Sequence, residues 1–219
     1  MPRLFLVLAV ALAPMSILAQ PNEAAAPKPG DSPATAAAAD RAWAFSVAAY
    51  GYIVPNDSDY LQPTVTADRG WLHLEARYNY EARKTGSAWV GYNYSAGEQL
   101  TFEVTPMLGF VFGETAGIAP GYKASLAYRR VTLYTEGEYV FDASNSADNF
   151  FYTWSELSFA PVDAFRFGLV IQRTKAYKTQ FEIQRGLLAG FTARMLEFTT
   201  YVFNLDGDPA VVLAVAVTF

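Results

Sequence analysis

The last ten residues of the chain, 210–219, constrain the fold more than any other segment. They alternate larger apolar side chains with mostly small ones, and the larger set is Val211, Leu213, Val215, Val217 and Phe219. Because successive side chains of a β-strand point to opposite faces, this set shares one face of a terminal strand. That face is apolar up to its last residue, which predicts contact with lipid rather than with water.

An aromatic residue at the end of such a strand resembles the terminal insertion signal of bacterial outer-membrane β-barrel proteins. The resemblance implies that Phe219 closes the last strand and serves as the signal for the barrel-assembly machinery. It also implies a location in the outer membrane of a Gram-negative-type bacterium, in contact with lipid and lipopolysaccharide. The resemblance is to small porin-like and channel-like barrels in architecture only, and it identifies no substrate.

The amino-terminal segment favours the same compartment. Arg3 precedes an apolar run over residues 4–13, and Ser16 and Ala19 offer small residues for cleavage. This layout predicts a secretory signal peptide over residues 1–19; as a membrane-spanning helix it is too short and is interrupted by Pro14. Residues 20–41 are rich in Ala and Pro and are expected to form a flexible periplasmic leader. The barrel is then predicted over residues 42–219.

Composition agrees with one membrane-embedded domain. The chain has 219 residues and an aromatic content of 16%, and barrels use aromatic residues at both membrane interfaces. There is no cysteine, so an acylated anchor, a disulfide and a thiolate metal site are excluded. Acidic residues outnumber basic ones by 21 to 16, which makes nucleic acid an unfavourable partner.

Short alternating runs separated by Gly, Pro, Asn and Asp predict an all-β fold, a single antiparallel transmembrane β-barrel of about twelve strands. Each run is close to the roughly ten residues that a tilted strand needs to cross the bilayer. The predicted strands are 43–54, 60–67, 71–81, 87–95, 99–112, 122–129, 131–141, 150–160, 165–174, 178–186, 191–203 and 210–219. Every second connection is short, as periplasmic turns are. The turn predicted at 187–190 is apolar; if that segment is strand, the count could fall to ten.

Alternation also predicts which side chains point into the lumen. Apolar residues, including Leu72, Leu74, Ala76, Tyr78 and Tyr80, are predicted to face lipid. The lumen-lining and selectivity candidates are Glu75, Arg77, Glu103, Lys123, Arg129, Glu136, Glu138, Glu156, Arg166, Glu182 and Glu197. Two interpretations stay open: the charges pair and fill the lumen, or the excess of acid lines a narrow, weakly cation-favouring pathway. A barrel of twelve strands is compatible with either.

Catalytic chemistry is poorly represented. His73 is the one histidine, and a nucleophile would need a serine beside it in space. In the outer-membrane phospholipases a serine lies two residues from the histidine on the same strand; here that position is Glu75. We therefore predict a lumenal histidine that is hydrogen-bonded to Glu75 or a neighbour, no catalytic residue and no cofactor. Three acidic external connections lack the spacing of a dedicated calcium site, so no metal site is predicted.

The sequence thus favours a porin-like channel or binding barrel for a small polar solute. The alternative is a structural or partner-binding barrel that is filled by its own side chains and does not transport. An outer-membrane hydrolase with acids at the external rim is a weaker third interpretation. The oligomeric state is left open by the sequence.

Overall fold

The computed structural model describes residues 42–55, 58–176 and 182–219. The predicted signal peptide and leader, residues 1–41, lie outside the described residues, so those two predictions remain untested. The strands are β1 (Ala44–Ile53), β2 (Tyr60–Arg69), β3 (Leu72–Tyr78), β4 (Thr85–Tyr92), β5 (Tyr94–Ala96), β6 (Leu100–Gly113), β7 (Gly117–Tyr128), β8 (Val131–Asp142), β9 (Phe150–Val162), β10 (Phe165–Ala176), β11 (Glu182–Ala193), β12 (Leu196–Phe203) and β13 (Ala210–Thr218). One 3-10 turn, Ser146–Asp148, precedes β9.

Apart from β4 and β5, which both pair with β6, each strand pairs antiparallel with its neighbours in sequence, and the sheet closes on itself. Closure joins β1 to β13, where Ser46 lies opposite Thr218. The short strand β5 continues β4 along the same neighbour, β6, after a break at Asn93. When β4 and β5 are counted as one strand, the described part of the chain has twelve strands. This confirms the predicted twelve-stranded antiparallel barrel. Because the strand number is even, the chain enters and leaves at the same end of the barrel.

Period-two alternation explains the two surfaces of the wall. In β6, Leu108, Phe110 and Phe112 are half exposed or more, whereas Met107 and Val111 are buried. The same division recurs around the barrel and leaves a broad apolar outer surface. Exposed apolar area of this extent is unfavourable in water and is the surface that a bilayer solvates. The charged faces point the opposite way, into the lumen.

The predicted terminal strand and its aromatic end are present at the seam of the barrel. Phe45 and Phe219 exchange two backbone hydrogen bonds of 2.8 and 2.9 Å, and their rings stack at 6.1 Å. Among the described residues, none of the helical segments has the length and hydropathy of a membrane span.

The predicted turn at 187–190 is wrong, although the strand count is unaffected. Residues 187–190 lie within β11 and pair with β10 and β12. The chain reverses instead at Arg194 and Met195, where Arg194 has a φ of 58°. A run of two leucines, alanine and glycine fits a strand because Leu187 faces outward, Leu188 is buried in the lumen, and Gly190 lies beneath the Arg166 side chain.

Candidate functional site

The lumen contains two cavities of about 420 and 410 Å³. The terminal cavity is the one at the end of the barrel that holds Ala44 and Phe219, and residues lining it include Ser46, Thr66 and Ser158. The loop cavity is at the opposite end, where residues lining it include Val54, Arg83 and Phe150. Three tyrosines, Tyr52, Tyr80 and Tyr152, line both cavities and lie where the two meet. We call these three side chains the tyrosine partition.

Tyr80 reaches the lumen because the strand alternation breaks beside it. The sequence predicted Tyr80 to face lipid, in register with Tyr78, and this is wrong. Asn79 adopts a φ of 57°, a left-handed conformation that asparagine tolerates better than most residues. Its side chain holds the bend by donating to the Leu61 carbonyl at 2.8 Å and accepting from the Lys84 amide at 2.7 Å. Tyr78 therefore stays outside and Tyr80 packs against the core within.

A buried network of charged side chains fills one side of the lumen, and Arg77 is at its centre. Arg77 Nε donates to Glu75 Oε1 and Arg77 Nη1 donates to Glu138 Oε2, both at 2.8 Å. The guanidinium also lies between two rings, 4.1 Å from the centroid of Tyr80 and 4.5 Å from that of Trp89. A buried ion needs compensation from opposite charge and hydrogen bonds, and Arg77 receives both.

The network continues through Glu75 to the terminal side. Lys123 Nζ lies 2.6 Å from Glu75 Oε2, and His73 Nε2 lies 3.1 Å from the same oxygen. The other ring nitrogen, Nδ1, is 2.7 Å from Asp68 Oδ1. The predicted lumenal histidine with a hydrogen bond to Glu75 is confirmed.

Glu81 extends the network toward the loop end. It belongs to the connection between β3 and β4, and it is buried inside the barrel mouth. Ser87 Oγ donates to Glu81 Oε1, and Ser87 Oγ in turn accepts from Trp89 Nε1 at 2.9 Å. Burial raises the pKa of the Glu81 carboxyl, against the hydrogen bond from Ser87 and the charge of Arg77, which lower it.

A second cluster lies on the wall formed by β9, β10 and β12. Arg166 Nη1 donates to Glu156 Oε2 and Arg166 Nη2 donates to Glu197 Oε1, each at 2.8 Å. Glu156 Oε1 also accepts from Trp154 Nε1 and from the Tyr201 hydroxyl, both at 2.9 Å. These residues line the terminal cavity. The pair of Arg166 with Glu156 joins the adjacent strands β10 and β9, as predicted, whereas Glu197 on β12 reaches Arg166 across β11.

Glu136 differs from the other acids of the terminal cavity. Its two oxygens accept hydrogen bonds from the hydroxyls of Tyr80 and Tyr134. No Lys, Arg or His of the described residues forms an ion pair with it. Glu136 is therefore a lumenal carboxylate beside the tyrosine partition that accepts from hydroxyl groups and forms no ion pair, although Lys123 lies opposite it on β7.

The structure divides the predicted lumen residues into several groups. Those lining the terminal cavity are Glu75, Lys123, Glu136, Glu156, Arg166 and Glu197. Arg77 and Glu138 lie buried behind them. Glu103 is half-buried on the wall, where its Oε2 accepts from Ser125 at 3.1 Å. Glu182 lies on β11, and its side chain lies outside what the structure describes.

The placement of Arg129 in the lumen is wrong. Arg129 lies in the turn between β7 and β8 with a φ of 54°, and its exposed guanidinium lies 5.2 Å from the ring centroid of Tyr128. The positive φ ends the alternation that placed Arg129 on the same face as Lys123 and Ser125.

Sequence reasoning missed the aromatic part of the site. Tyr50, Tyr52, Tyr80 and Tyr152 line the terminal cavity, as do Tyr134, Trp154 and Tyr201, which alternation by itself places on the lumenal face of their strands. The alternation could have revealed the tyrosines of β1 and β9. The even-numbered residues of these strands share a face with the polar residues Ser46 and Glu156, and that face is lumenal. In the described part of the chain, no group of three or more His, Asp and Glu side chains is arranged to hold a metal ion.

A closed twelve-stranded barrel with an apolar exterior and a charged interior defines a porin-like β-barrel of the outer-membrane type. Comparison with solved structures agrees. The chain is similar to a KdgM porin, with a TM-score of 0.59 and 10% sequence identity over 80% of this chain and 99% of that one. A KdgM porin in complex with disordered oligogalacturonate matches with the same values.

A further match is OpdQ of Pseudomonas aeruginosa, with a TM-score of 0.42 and 7% identity over 77% of this chain and 59% of that chain. At such identities the likeness to the KdgM porin concerns the fold alone. No family model matches the sequence, and no curated protein matches it.

Proposed function

We propose that the protein is an outer-membrane channel that passes a small polar solute through a weakly cation-favouring lumen. The observation that carries the proposal is the terminal cavity, a space of about 420 Å³ bordered by ionisable side chains inside a closed barrel. A barrel whose only role is structural needs no such space, since its side chains can fill a narrow lumen. The apolar exterior supports the outer-membrane location, because hydrocarbon is the solvent that such a surface needs.

The charge of the lining supports the direction of selectivity. Four carboxylates, Glu75, Glu136, Glu156 and Glu197, and two cations, Lys123 and Arg166, border the terminal cavity. Rings of carboxylates attract cations and repel anions. Oligogalacturonate, which is bound to one of the similar porins, carries carboxylates of its own, so we propose a solute of different charge for this lumen.

The filled, non-transporting barrel is the second candidate, and the buried network around Arg77 favours it. That network closes one side of the lumen, and the tyrosine partition lies across the remaining path. The two functions differ in one measurable property, which is whether ions cross the barrel.

Conductance in planar bilayers tests the proposal. The purified full-length chain, folded in detergent and reconstituted, is expected to give single-channel steps in potassium chloride. Under a salt gradient the reversal potential is expected to show preference for potassium over chloride. If heat-shift electrophoresis shows that the protein is folded and no conductance steps are seen, the channel is overturned and the filled barrel is favoured. A preference for chloride would overturn the proposed selectivity.

A further inference from the structure

We propose that the terminal cavity selects solutes that carry a protonated amine, that is, small organic ammonium ions. The inference rests on the proposed channel function and names the class of its solute. It follows from the charge of the cavity lining, from the ion pairs that its two cations already form, and from Glu136, a carboxylate beside the tyrosine partition that forms no ion pair.

Several hydrogen-bond donors on the cavity wall are used by two of the acids that border the cavity. The hydroxyls of Tyr80 and Tyr134 donate to Glu136, and Trp154 Nε1 and the Tyr201 hydroxyl donate to Glu156. A tyrosine hydroxyl has one proton, so once it is given to a carboxylate the oxygen can only accept. Tyr80, Tyr134 and Tyr201 therefore offer acceptors and ring faces to a solute, and Trp154 offers its ring.

The two cations of the lining are committed in the same way. Arg166 makes hydrogen bonds to Glu156, Glu197 and Thr199, and Lys123 pairs with Glu75. Neither presents an uncommitted positive charge to a carboxylated solute.

Two residues that line the loop cavity carry buried acceptors without a donor. Glu81 Oε2 and Gln172 Oε1 are buried oxygen atoms without a donor, and both residues line that cavity.

Charge points to the same solute. With four carboxylates and two cations, the lining of the terminal cavity has a net charge of minus two, and Glu136 contributes a charge without a cationic partner. An ammonium group supplies a positive charge and three donors in one compact unit. A neutral polyol supplies donors without the charge, and a carboxylate adds repulsion and more acceptors.

The aromatic rings near Glu136 suit a cation. Arg77 already lies 4.1 Å from the centroid of Tyr80, and ring faces attract ammonium groups in the same manner. Tyr80 and Tyr152 meet edge to face at 5.4 Å, and both rings line the cavity that Glu136 borders. A carboxylate near aromatic rings is a combination that suits an organic cation.

Diaminobutane, butanediol and succinate test the inference, because they share a chain of four carbons and differ in charge. Each compound is added to one side of a bilayer that holds the full-length chain and carries a potassium current. Diaminobutane is expected to reduce the current at concentrations at which butanediol and succinate do not. Glu136→Gln is expected to raise the half-blocking concentration of diaminobutane about fivefold, the equivalent of about 1 kcal/mol for the loss of one nearby charge.

Glu103→Gln is the matched control, since Glu103 is a half-buried lumenal glutamate that does not border the terminal cavity. It is expected to leave the block unchanged. If current flows and diaminobutane blocks no better than butanediol, or if both variants behave alike, the ammonium inference is overturned while the channel stands.

If no current flows, the channel is overturned, and calorimetric titration of the folded chain in detergent with the same three compounds decides the inference independently. Binding of diaminobutane that weakens in Glu136→Gln and not in Glu103→Gln supports it. Equal binding of the diamine and the diol contradicts it.

Discussion

The guanidinium carbon of Arg77 lies 4.1 Å from the centre of the Tyr80 ring. Arg77 belongs to the buried network that fills one side of the barrel, and Tyr80 lines both cavities. The contact therefore joins the filled part of the lumen to the open part. The opening between the two cavities is bordered by the Tyr80 side chain, which Arg77 of the charged network contacts.

Replacement of Arg77 by methionine is expected to destabilise the barrel by about 3–5 kcal/mol, because it leaves the buried carboxylate of Glu138 without its cationic partner and leaves Glu75 with Lys123 alone. Urea unfolding in lipid vesicles, followed by tryptophan fluorescence, measures the change. Arg130→Met is the control, since the ion pair of Arg130 with Asp163 is exposed and such pairs contribute about 1 kcal/mol at most. Equal unfolding midpoints for the two variants would show that the network does not stabilise the fold.

Truncation of Tyr80 to alanine is expected to raise single-channel conductance, because it removes one of the three side chains between the two cavities. Tyr78→Ala serves as the control at the nearest aromatic position. The Tyr78 side chain is 47% exposed on the outer surface, and its loss is expected to leave conductance unchanged. An increase in both variants, or in neither, would contradict the position of Tyr80 at the partition.

Arg166→Gln is expected to make the lumen more cation-selective, whereas Glu136→Gln, which removes a negative charge, is expected to make it less so. The substitution removes the cation that pairs with Glu156 and Glu197. Because the lining loses one positive charge, the ratio of potassium to chloride permeability is expected to rise about fivefold. The reversal potential under a potassium chloride gradient measures the ratio. Arg130→Gln removes an exposed charge at a turn and is expected to have little effect; a similar shift from both variants would indicate that surface charge, rather than the cavity, sets selectivity.

Gly109→Ala is expected to cost about 1–3 kcal/mol of unfolding free energy, as overpacking of a tight interior does. A Cβ at Gly109 would lie 2.6 Å from the Trp89 ring, which rests on the glycine backbone. Gly51→Ala is the matched strand control, because the nearest atom to its added Cβ is 3.7 Å away. Unfolding midpoints in urea compare the two; a larger loss at Gly51 would contradict the packing of Trp89 on β6.

Phe219→Ala is expected to lower the amount of barrel assembled in cells while leaving folding in detergent nearly intact. The backbone hydrogen bonds between Phe45 and Phe219 do not need the ring, and the exposed ring stack at 6.1 Å is worth about 1 kcal/mol. Heat-shift electrophoresis of outer membranes and of refolded protein gives the two readings. Parallel losses in both would mean that the ring stabilises the fold rather than signalling insertion.

Local pattern determined much of this protein. Alternation with period two predicted which residues of most strands face lipid and which face the lumen, because side chains of a paired strand point alternately to either side. It placed Glu75, Glu136, Glu156 and Arg166 inside, and it predicted twelve strands before any pairing was known. The same rule failed at Asn79 and Arg129, where a residue of positive φ reverses the chain and ends the alternation.

Only the closed barrel decided which interior side chains meet. Arg77 and Glu138 are 61 positions apart in sequence and lie on strands that are not neighbours in the sheet, so their contact exists only across the lumen. Alternation specifies the face of a residue but neither its height in the barrel nor its partner, which depend on strand register and closure. For this reason the sequence by itself predicted a charged interior, whereas the tertiary structure alone distinguished the ion-paired acids from Glu136.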